Sequence, residues 1–392
     1  MNKLFKQGIK IANILEDNGY EAYIVGGSVR DLLLNREIND IDITTNATPE
    51  EIEKVYKDFK QVDIGKKFGT IKILDNNNEF EITTFRSEKG YSDGRHPDEV
   101  SFTKSIYDDL KRRDLNINSI AFRNGEIYDP FNGKEYIKNK VIKAVGNPEE
   151  RIKEDALRIL RAVRFSIQLD FKIDNELKES IKRNKNRLDL VSKERINEEL
   201  NKMLIANPYE TIKTLKELDI LNNIFTNIEI KNINKLKNID NDIHEILAIM
   251  FLTNNKDKVE NTLRDLKYSN NDIEVISQIV ENYRENYSRY ELRKMIFDIG
   301  IDNSKKTMEV FKIINGKEND NFEEILNNNF PKSRKEIAIS GDDIKKLGFK
   351  EGKEIGSILK VIEEEILKGN VENDKEKIKD FILERRFYEN FW

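Results

Sequence analysis

Near residue 149 the patterning of the chain switches from mixed strands and helices to helix after helix, which limits the architectures open to it. Before the switch, Leu4, Ile11 and Leu15 recur at helical spacing, with Gly19 placed to end that helix. Residues 22–25 read as a short apolar strand that breaks at Gly26-Gly27, and residues 29–34 as helix. Residues 40–44 alternate as a strand. Residues 70–74 and 80–85 are two more, around the turn Asp75-Asn76-Asn77-Asn78. Residues 90–97 form a polar loop, and residues 117–122 and 126–128 suggest the last strands, around Asn124-Gly125. After the switch, residues 315–330, rich in Asn and acid, are the best loop candidate, and Pro331 precedes a final helical region. No repeat of fixed period is present. The expected fold is therefore α+β: a small N-terminal α/β domain followed by a long all-helical part.

Composition removes several chemistries. The 392 residues predict about two to three domains. With no cysteine there are no disulfides, thiolate zinc sites or cysteine nucleophiles. The two histidines, His96 and His244, cannot make a histidine-rich metal site, so any metal is expected to be a hard cation such as Mg²⁺ or Mn²⁺. The first ten residues are polar and basic, and no run of about 18 apolar residues occurs, so a reducing, cytoplasmic setting is expected, with no membrane span. The net charge of −5 argues mildly against wholesale nucleic-acid binding, but residues 151–196 hold 13 Lys/Arg against 8 Asp/Glu. A basic stripe in an acidic chain can follow a phosphate backbone; it can equally be a solvated helix face.

Asp40-Ile41-Asp42-Ile43 carries the chemistry. On a strand, Asp40 and Asp42 face one side and the isoleucines the other. Two like charges about 7 Å apart repel, and a divalent cation removes that repulsion. In residues 80–83, Glu81 opposes Phe80 and Ile82; if the two strands are neighbours, three carboxylates converge to hold two Mg²⁺ about 4 Å apart. Glu79 shares the parity of Glu81 and stays an alternative. Gly26-Gly27-Ser28-Val29-Arg30-Asp31, between strand and helix, lets backbone N–H groups approach a phosphate, with Arg30 in reach of a phosphate oxygen and Asp31 able to orient it. Lys111-Arg112-Arg113-Asp114 offers sugar or phosphate contacts. In Glu154-Asp155-x-x-Arg158-x-x-Arg161-x-x-Arg164 the basic residues drift around one helical face. Asp155 can accept from the exocyclic amine of cytosine or adenine while Arg158 donates to ring acceptors; guanine and uracil put a carbonyl oxygen against Asp155. An ordinary intrahelical salt bridge is the plainer reading of that pair.

Taken together, these motifs resemble the class II tRNA nucleotidyltransferases, of the polymerase-β-like nucleotidyltransferase superfamily, most closely over residues 22–200. Residues 24–34 with Asp40-Ile41-Asp42 match the catalytic motif, residues 109–114 the ribose-contacting motif and residues 154–165 the nucleotide-selecting helix; residues 192–200 are similar to the neck motif. The resemblance implies a polymerase-β-like nucleotidyltransferase head (residues 1–140), a neck (141–200), a helical body (201–270) and a helical, tRNA-binding tail (271–392). It implies Asp40 and Asp42 as ligands of Mg²⁺, with Glu81 the added catalytic candidate, and Gly26, Gly27 and Arg30 on the triphosphate. Arg112, Arg113 and Asp114 fall at nucleotide contacts, Asp155 and Arg158 at the base-reading positions, and Arg161 and Arg164 on the nucleotide side. The implied partners are the tRNA 3′ end, CTP and ATP, with no stable protein partner.

The implied reaction is template-independent addition of CMP, CMP and AMP to tRNA. Gly65-Lys66-Lys67-Phe68-Gly69-Thr70 resembles the CCA-adding form, and residues 86–97 resemble its flexible head loop. An A-adding enzyme is the nearest alternative, followed by a poly(A) polymerase and a non-catalytic tRNA-binding protein. A transferase acting on a small molecule shares the Gly-Gly and Asp-x-Asp features but leaves Asp155, Arg158 and the helical half unexplained. The chain departs from the family pattern at His96, where some relatives have arginine, and at Lys353, where relatives often have proline. His96 reads as a loop residue and His244 as a packing residue.

Overall fold

The computed structural model describes residues 2–65, 69–90, 99–239, 242–350 and 352–386. The chain divides into two compact units, Met1–Thr226 and Asn227–Trp392.

The first unit opens with α1 (Lys3–Asp17), whose Asn2 side chain caps the Leu4 amide at 2.7 Å. Its buried stripe of Phe5, Gly8, Ile11, Ala12 and Leu15 lies on a sheet. Gly8 permits that close approach, because a Cβ there would meet Ile41 Cγ2 at 2.7 Å. The strands are β1 (Ala22–Val25), β2 (Ile41–Thr45), β3 (Lys60–Gly65), β4 (Thr70–Asp75), β5 (Asn78–Thr84), β6 (Arg86–Lys89), β7 (Glu99–Phe102), β8 (Ala121–Arg123) and β9 (Glu126–Tyr128). Seven of them make one sheet in the order β3-β4-β5-β2-β1-β8-β9; β6 and β7 pair apart as a hairpin. Within the large sheet, β2 and β5 run parallel and the other pairs antiparallel. Ile24, Ile41, Ile43, Ile71, Ile73, Phe80 and Ile82 are buried from these strands, each removal from water stabilising by roughly 1.5–3 kcal/mol.

Two short helices serve this sheet: α2 (Gly27–Leu33) and α3 (Pro49–Val55), the latter with a full capping box between Thr48 and Glu51. Next come α4 (Ile106–Lys111) and α5 (Gly133–Lys138). The expected strand over residues 117–122 is shorter than the pattern suggests: Asn116–Asn118 is a 3-10 turn and the strand begins only at Ala121. The apolar residues there are buried by the turn itself, so burial alone cannot mark a strand.

Helices α6 (Pro148–Glu154), α7 (Leu157–Leu169), α8 (Asn175–Asn184), α9 (Lys193–Ala206), α10 (Pro208–Glu217) and α11 (Leu221–Ile224) complete the unit. This part is not purely helical. β10 (Val141–Ile142) and β11 (Lys172–Ile173) form a two-stranded parallel sheet across it. The second unit holds α12 (Ile243–Phe251), α13 (Lys256–Asp265), α14 (Asn270–Asn282), α15 (Arg289–Asn315), α16 (Phe322–Asn327), α17 (Gly341–Lys346), α18 (Lys353–Lys368) and α19 (Lys375–Arg386). α15 kinks at Gly300, whose φ of 77° leaves the helical region. Residues 315–330, expected as a loop, carry α16, because Phe322 and Ile325 bury into the Leu292, Ile296 and Phe311 cluster. His244 does more than pack: at the start of α12 its Nε2 lies 2.8 Å from Asp272 Oδ1. No helix among the described residues is long and apolar enough to cross a membrane.

Candidate active site

The site is built on the parallel seam between β2 and β5. Its register pairs Ile41 with Phe80, Asp42 with Glu81 and Ile43 with Ile82. Registered neighbours share a face, so the apolar residues enter the core while Asp42 and Glu81 stand together on the opposite side. Asp40, one residue ahead of β2, is exposed beside them. Asp42 is exposed on β2, between β5 and β1, but its carboxyl is partly desolvated by the atoms around it. That desolvation, against the pull of Arg113 and with the repulsion of Asp40 and Glu81, pushes it up to about 6. The strand pairing thus sets Asp42 beside Glu81, but among the described residues no three acidic side chains come together to hold a metal ion, so the expected convergence of three carboxylates is not seen.

β1 sets the neighbouring turn, because Val25 registers with Asp42 and Gly26 follows at once. Gly26 has φ 75°, and a Cβ there would stand 3.1 Å from Arg113 Nη1 and 3.9 Å from Asp42 Oδ2. The backbone at this φ calls for glycine, and a Cβ would also press on the end of the Arg113 side chain. Arg113 is held over the turn from α4. The wholly buried Asp109 takes Arg112 Nη2 on Oδ1 at 2.8 Å and Arg113 Nη2 on Oδ2 at 3.3 Å. Burial would raise the Asp109 carboxyl, but the two guanidinium groups and the Arg86 amide hold it below the usual range.

Arg30 is more enclosed than a simple phosphate contact. Asp31 accepts from its Nε and Nη2 at 3.0 and 2.9 Å, Asn118 Oδ1 accepts from Nη1 at 2.6 Å, and the guanidinium lies 4.9 Å from the Phe165 ring centre. Asp31 does orient it, as expected; the Asn118 support was not foreseen.

The stretch from Glu154 to Phe165 corrects the sequence reading. It is not one helix: Asp155 ends α6 with φ −148° and ψ 111°, and α7 starts at Leu157. Asp155 and Arg158 are not paired. Asp155 accepts from Arg195 Nη2 and Nη1 at 2.6 and 3.3 Å and caps the Leu157 amide at 2.9 Å. Arg158 Nη1 donates to Glu154 at 2.5 Å, and its Nη2 to the Arg112 carbonyl at 3.2 Å. Arg161 and Arg164 also have acidic partners, Asp114 and Glu199, each at 2.6 Å. Both flank Phe165, with ring-centre distances of 5.6 and 4.1 Å. Asn118, Arg195 and Glu199 thus brace candidate site residues in roles that the motif reading did not give them, since the partner of each is far away in sequence. Lys66, Lys67, Phe68, residues 91–97 of the head loop and His96 lie outside the described residues.

Asp114 gives a stability prediction. Burial would raise its carboxyl, but Arg161, Arg158 and the Leu115 amide outweigh it and hold it at about 2. The folded value is depressed, so its stabilisation is present above the unfolded value of about 3.9 and is lost as pH falls toward 2. Asp114→Asn is expected to lower stability at pH 7 by about 2–3 kcal/mol, on the low side for a broken buried pair because Arg161 is 34 % exposed. Denaturant titrations from pH 7 to 2 should show a flatter acid limb in the variant; parallel limbs would mean the pair stores no stability.

Comparisons with known proteins show the family and the fold. Residues 22–143 match the family described as "Poly A polymerase head domain", and residues 170–231 match "Probable RNA and SrmB- binding site of polymerase A". Residues 237–382 match a family for domain 2 of tRNA nucleotidyltransferases. The "CCA-adding enzyme" of Ligilactobacillus salivarius is 39 % identical over 390 residues, covering 95 % of this chain and 94 % of that protein. The chain belongs to the CCA-adding enzyme family. Within it, the bacterial class II tRNA nucleotidyltransferases are the matching branch. The CCA-adding enzyme of a Geobacillus species is 34 % identical, with 98 % of each chain covered. Among solved structures, the Bacillus stearothermophilus CCA-adding enzyme in complex with CTP has a TM-score of 0.81 at 28 % identity, with 99 % of each chain covered. The α+β architecture, a mixed-sheet head followed by a mostly helical region, is that of these CCA-adding enzymes.

Proposed function

We propose that this chain adds CMP, CMP and AMP in turn to the 3′ end of tRNA, using CTP and ATP, with its chemistry at the β2–β5 seam. The observation that carries this is the register of Asp42 with Glu81 beside Gly26 and Arg113.

The donor set suits Mg²⁺. Among the described residues no group of three Asp, Glu or His side chains is placed to hold a metal ion. Mg²⁺ needs none, since it is held by one or two carboxylates together with substrate phosphates. Asp40 and Asp42 would hold it, and Glu81 stands next in line. Bound there, the ions would activate the attacking 3′-hydroxyl and neutralise the leaving pyrophosphate. The chain's own groups do the positioning. The turn at Gly26 and Gly27 admits the triphosphate close to the backbone, and Arg30, braced by Asp31 and Asn118, keeps a positive charge beside it. Arg112 and Arg113, fixed on Asp109, face the nucleotide, and Asp114 steadies Arg161. Asp155 and Arg158 read the base edge, with Arg164 and Phe165 alongside.

We read residues 1–140 as the catalytic head, residues 141–200 as the neck, and residues 201–270 and 271–392 as the body and the tail. The tRNA contacts would come from the helical parts, and the cytoplasm, where tRNA and nucleotides meet, is the proposed setting.

The test uses Mg²⁺ and three tRNAs, ending at the discriminator base, at C and at CC, with labelled CTP or ATP. Incorporation of CTP on the first two and of ATP on the third is expected. ATP incorporation on the CC substrate alone would mean an A-adding enzyme, and long A tails a poly(A) polymerase.

A further inference from the structure

Beside the acidic row stands a cation that the reaction has not yet been asked to use. Antiparallel pairing of β4 with β5 sets Lys72 opposite Glu81, and parallel pairing of β5 with β2 sets Glu81 opposite Asp42. Lys72, Glu81 and Asp42 therefore form one cross-strand row on the face away from the core. The Lys72 ammonium lies 2.6 Å from Glu79 Oε2 and 3.6 Å from Glu81 Oε1. It is only 21 % exposed, whereas Glu79 and Glu81 are about half exposed, at 57 % and 47 %. Glu79 thus anchors the lysine, and the lysine reaches one oxygen of Glu81. At the other end of the row, Arg113 stands over Asp42.

Ordinary cross-strand pairing, at about 0.2–1 kcal/mol, accounts for a lysine set opposite Glu81 with Glu79 as its diagonal neighbour. What gives the pair its significance is its place, because the registered partner of Lys72 is itself registered with Asp42. A glutamate on an open strand face has three free torsions, and a metal site needs its oxygens fixed. Groups that hold a ligating carboxylate in place tune both metal affinity and rate.

We propose that Lys72, anchored by Glu79, is a positioning residue that fixes the Glu81 carboxylate for the divalent ion of the nucleotidyl transfer reaction. The Lys72 ammonium pairs with Oε1 at 3.6 Å, leaving Oε2 outside that pair. This rests on the two-metal reading of Asp40 and Asp42 given above.

The sign of one measurement separates positioning from mere charge. Removing a cation beside a metal site strengthens binding of a divalent ion if that cation only repels it. Removing a group that fixes a ligand weakens binding, typically about tenfold or more. Mn²⁺ binding to the full chain with CTP, without tRNA, can be followed by electron paramagnetic resonance for the wild type, Lys72→Met, Lys72→Arg, Glu79→Gln, Glu81→Gln and the Lys72→Met/Glu81→Gln double variant. Lys72→Met is expected to weaken Mn²⁺ binding about tenfold and lower kcat by a similar factor, with KM for CTP little changed. Lys72→Arg should restore most of the loss, and Glu79→Gln should show a smaller loss of the same kind. In the Glu81→Gln background, Lys72→Met should add almost nothing. Tighter Mn²⁺ binding in Lys72→Met, or full additivity with Glu81→Gln, overturns the proposal. If Lys72→Met fails to fold, Glu79→Gln and Lys72→Arg carry the same comparison. A wild type with no Mn²⁺ bound, or an Asp40→Ala/Asp42→Ala variant that binds it as well as the wild type, would instead sink the two-metal reading.

Discussion

The enzyme carrying Asp40→Ala and Asp42→Ala is expected to lose nucleotide addition by about a thousandfold or more, with tRNA affinity nearly unchanged. Metal-borne charge stabilisation in such transfers is worth several kcal/mol, and each 1.36 kcal/mol is about tenfold in rate. Both aspartates lie on the open face of the sheet, and neither supports the core that Ile41 and Ile43 enter. Stability gives an internal control. Desolvation of the Asp42 carboxyl, with Asp40 and Glu81 beside it, pushes it up against the pull of Arg113, so its ionised form costs the fold something at neutral pH. Removing it should leave Tm equal or higher, and an inactive variant with a lowered Tm would point to misfolding instead. The measurement is single-turnover addition of labelled CMP to tRNA lacking CCA, beside filter binding of the same tRNA. Activity within tenfold of wild type would end the metal assignment.

What the sequence made legible follows from the range of each interaction. The β4–β5 hairpin was legible as two strands around the turn Asp75-Asn76-Asn77-Asn78; Asn76 and Asn77 occupy its two-residue tip at φ 47° and 65°, and the structure adds the register, Asp75 with Asn78 and Lys72 with Glu81. The faces of Asp42 and Glu81 followed from alternation alone. The parallel register of β2 with β5 did not, because no local signal sets the pairing of strands so far apart in sequence. The broken helix at Asp155 was hidden for a related reason. The spacing of Asp155, Arg158, Arg161 and Arg164 is helical throughout, and the break is stabilised by Arg195, forty residues on. Likewise Arg161 and Arg164 read as free cations until Asp114 and Glu199 arrive from other elements. Motifs identified the family from one dimension, whereas the ion pairs that hold the motif residues are three-dimensional facts.

Asp155 is where that difference can be tested most sharply. Its carboxylate is held by Arg195 and caps α7 through the Leu157 amide, so its place is fixed before any base arrives. A fixed acceptor admits the amino groups of cytosine and adenine and repels the carbonyl oxygens of uracil and guanine. Asp155→Ala should raise UTP and GTP incorporation relative to CTP by about tenfold to a hundredfold, the 1–3 kcal/mol of one lost base contact, while slowing CTP itself. Because alanine also removes the cap, Asp155→Asn is the cleaner probe. Its side-chain oxygen can still cap Leu157, yet its amide can donate to a carbonyl, so preference should move toward UTP beyond the alanine variant. Arg195→Ala removes the brace but keeps the carboxylate; it should slow CTP and ATP incorporation while still excluding UTP and GTP. Competition assays with paired nucleotides on tRNA ending at the discriminator base read all three variants. Selectivity unchanged in both Asp155 variants would assign base choice to some other group, and Arg158, held by Glu154, would be the next to replace.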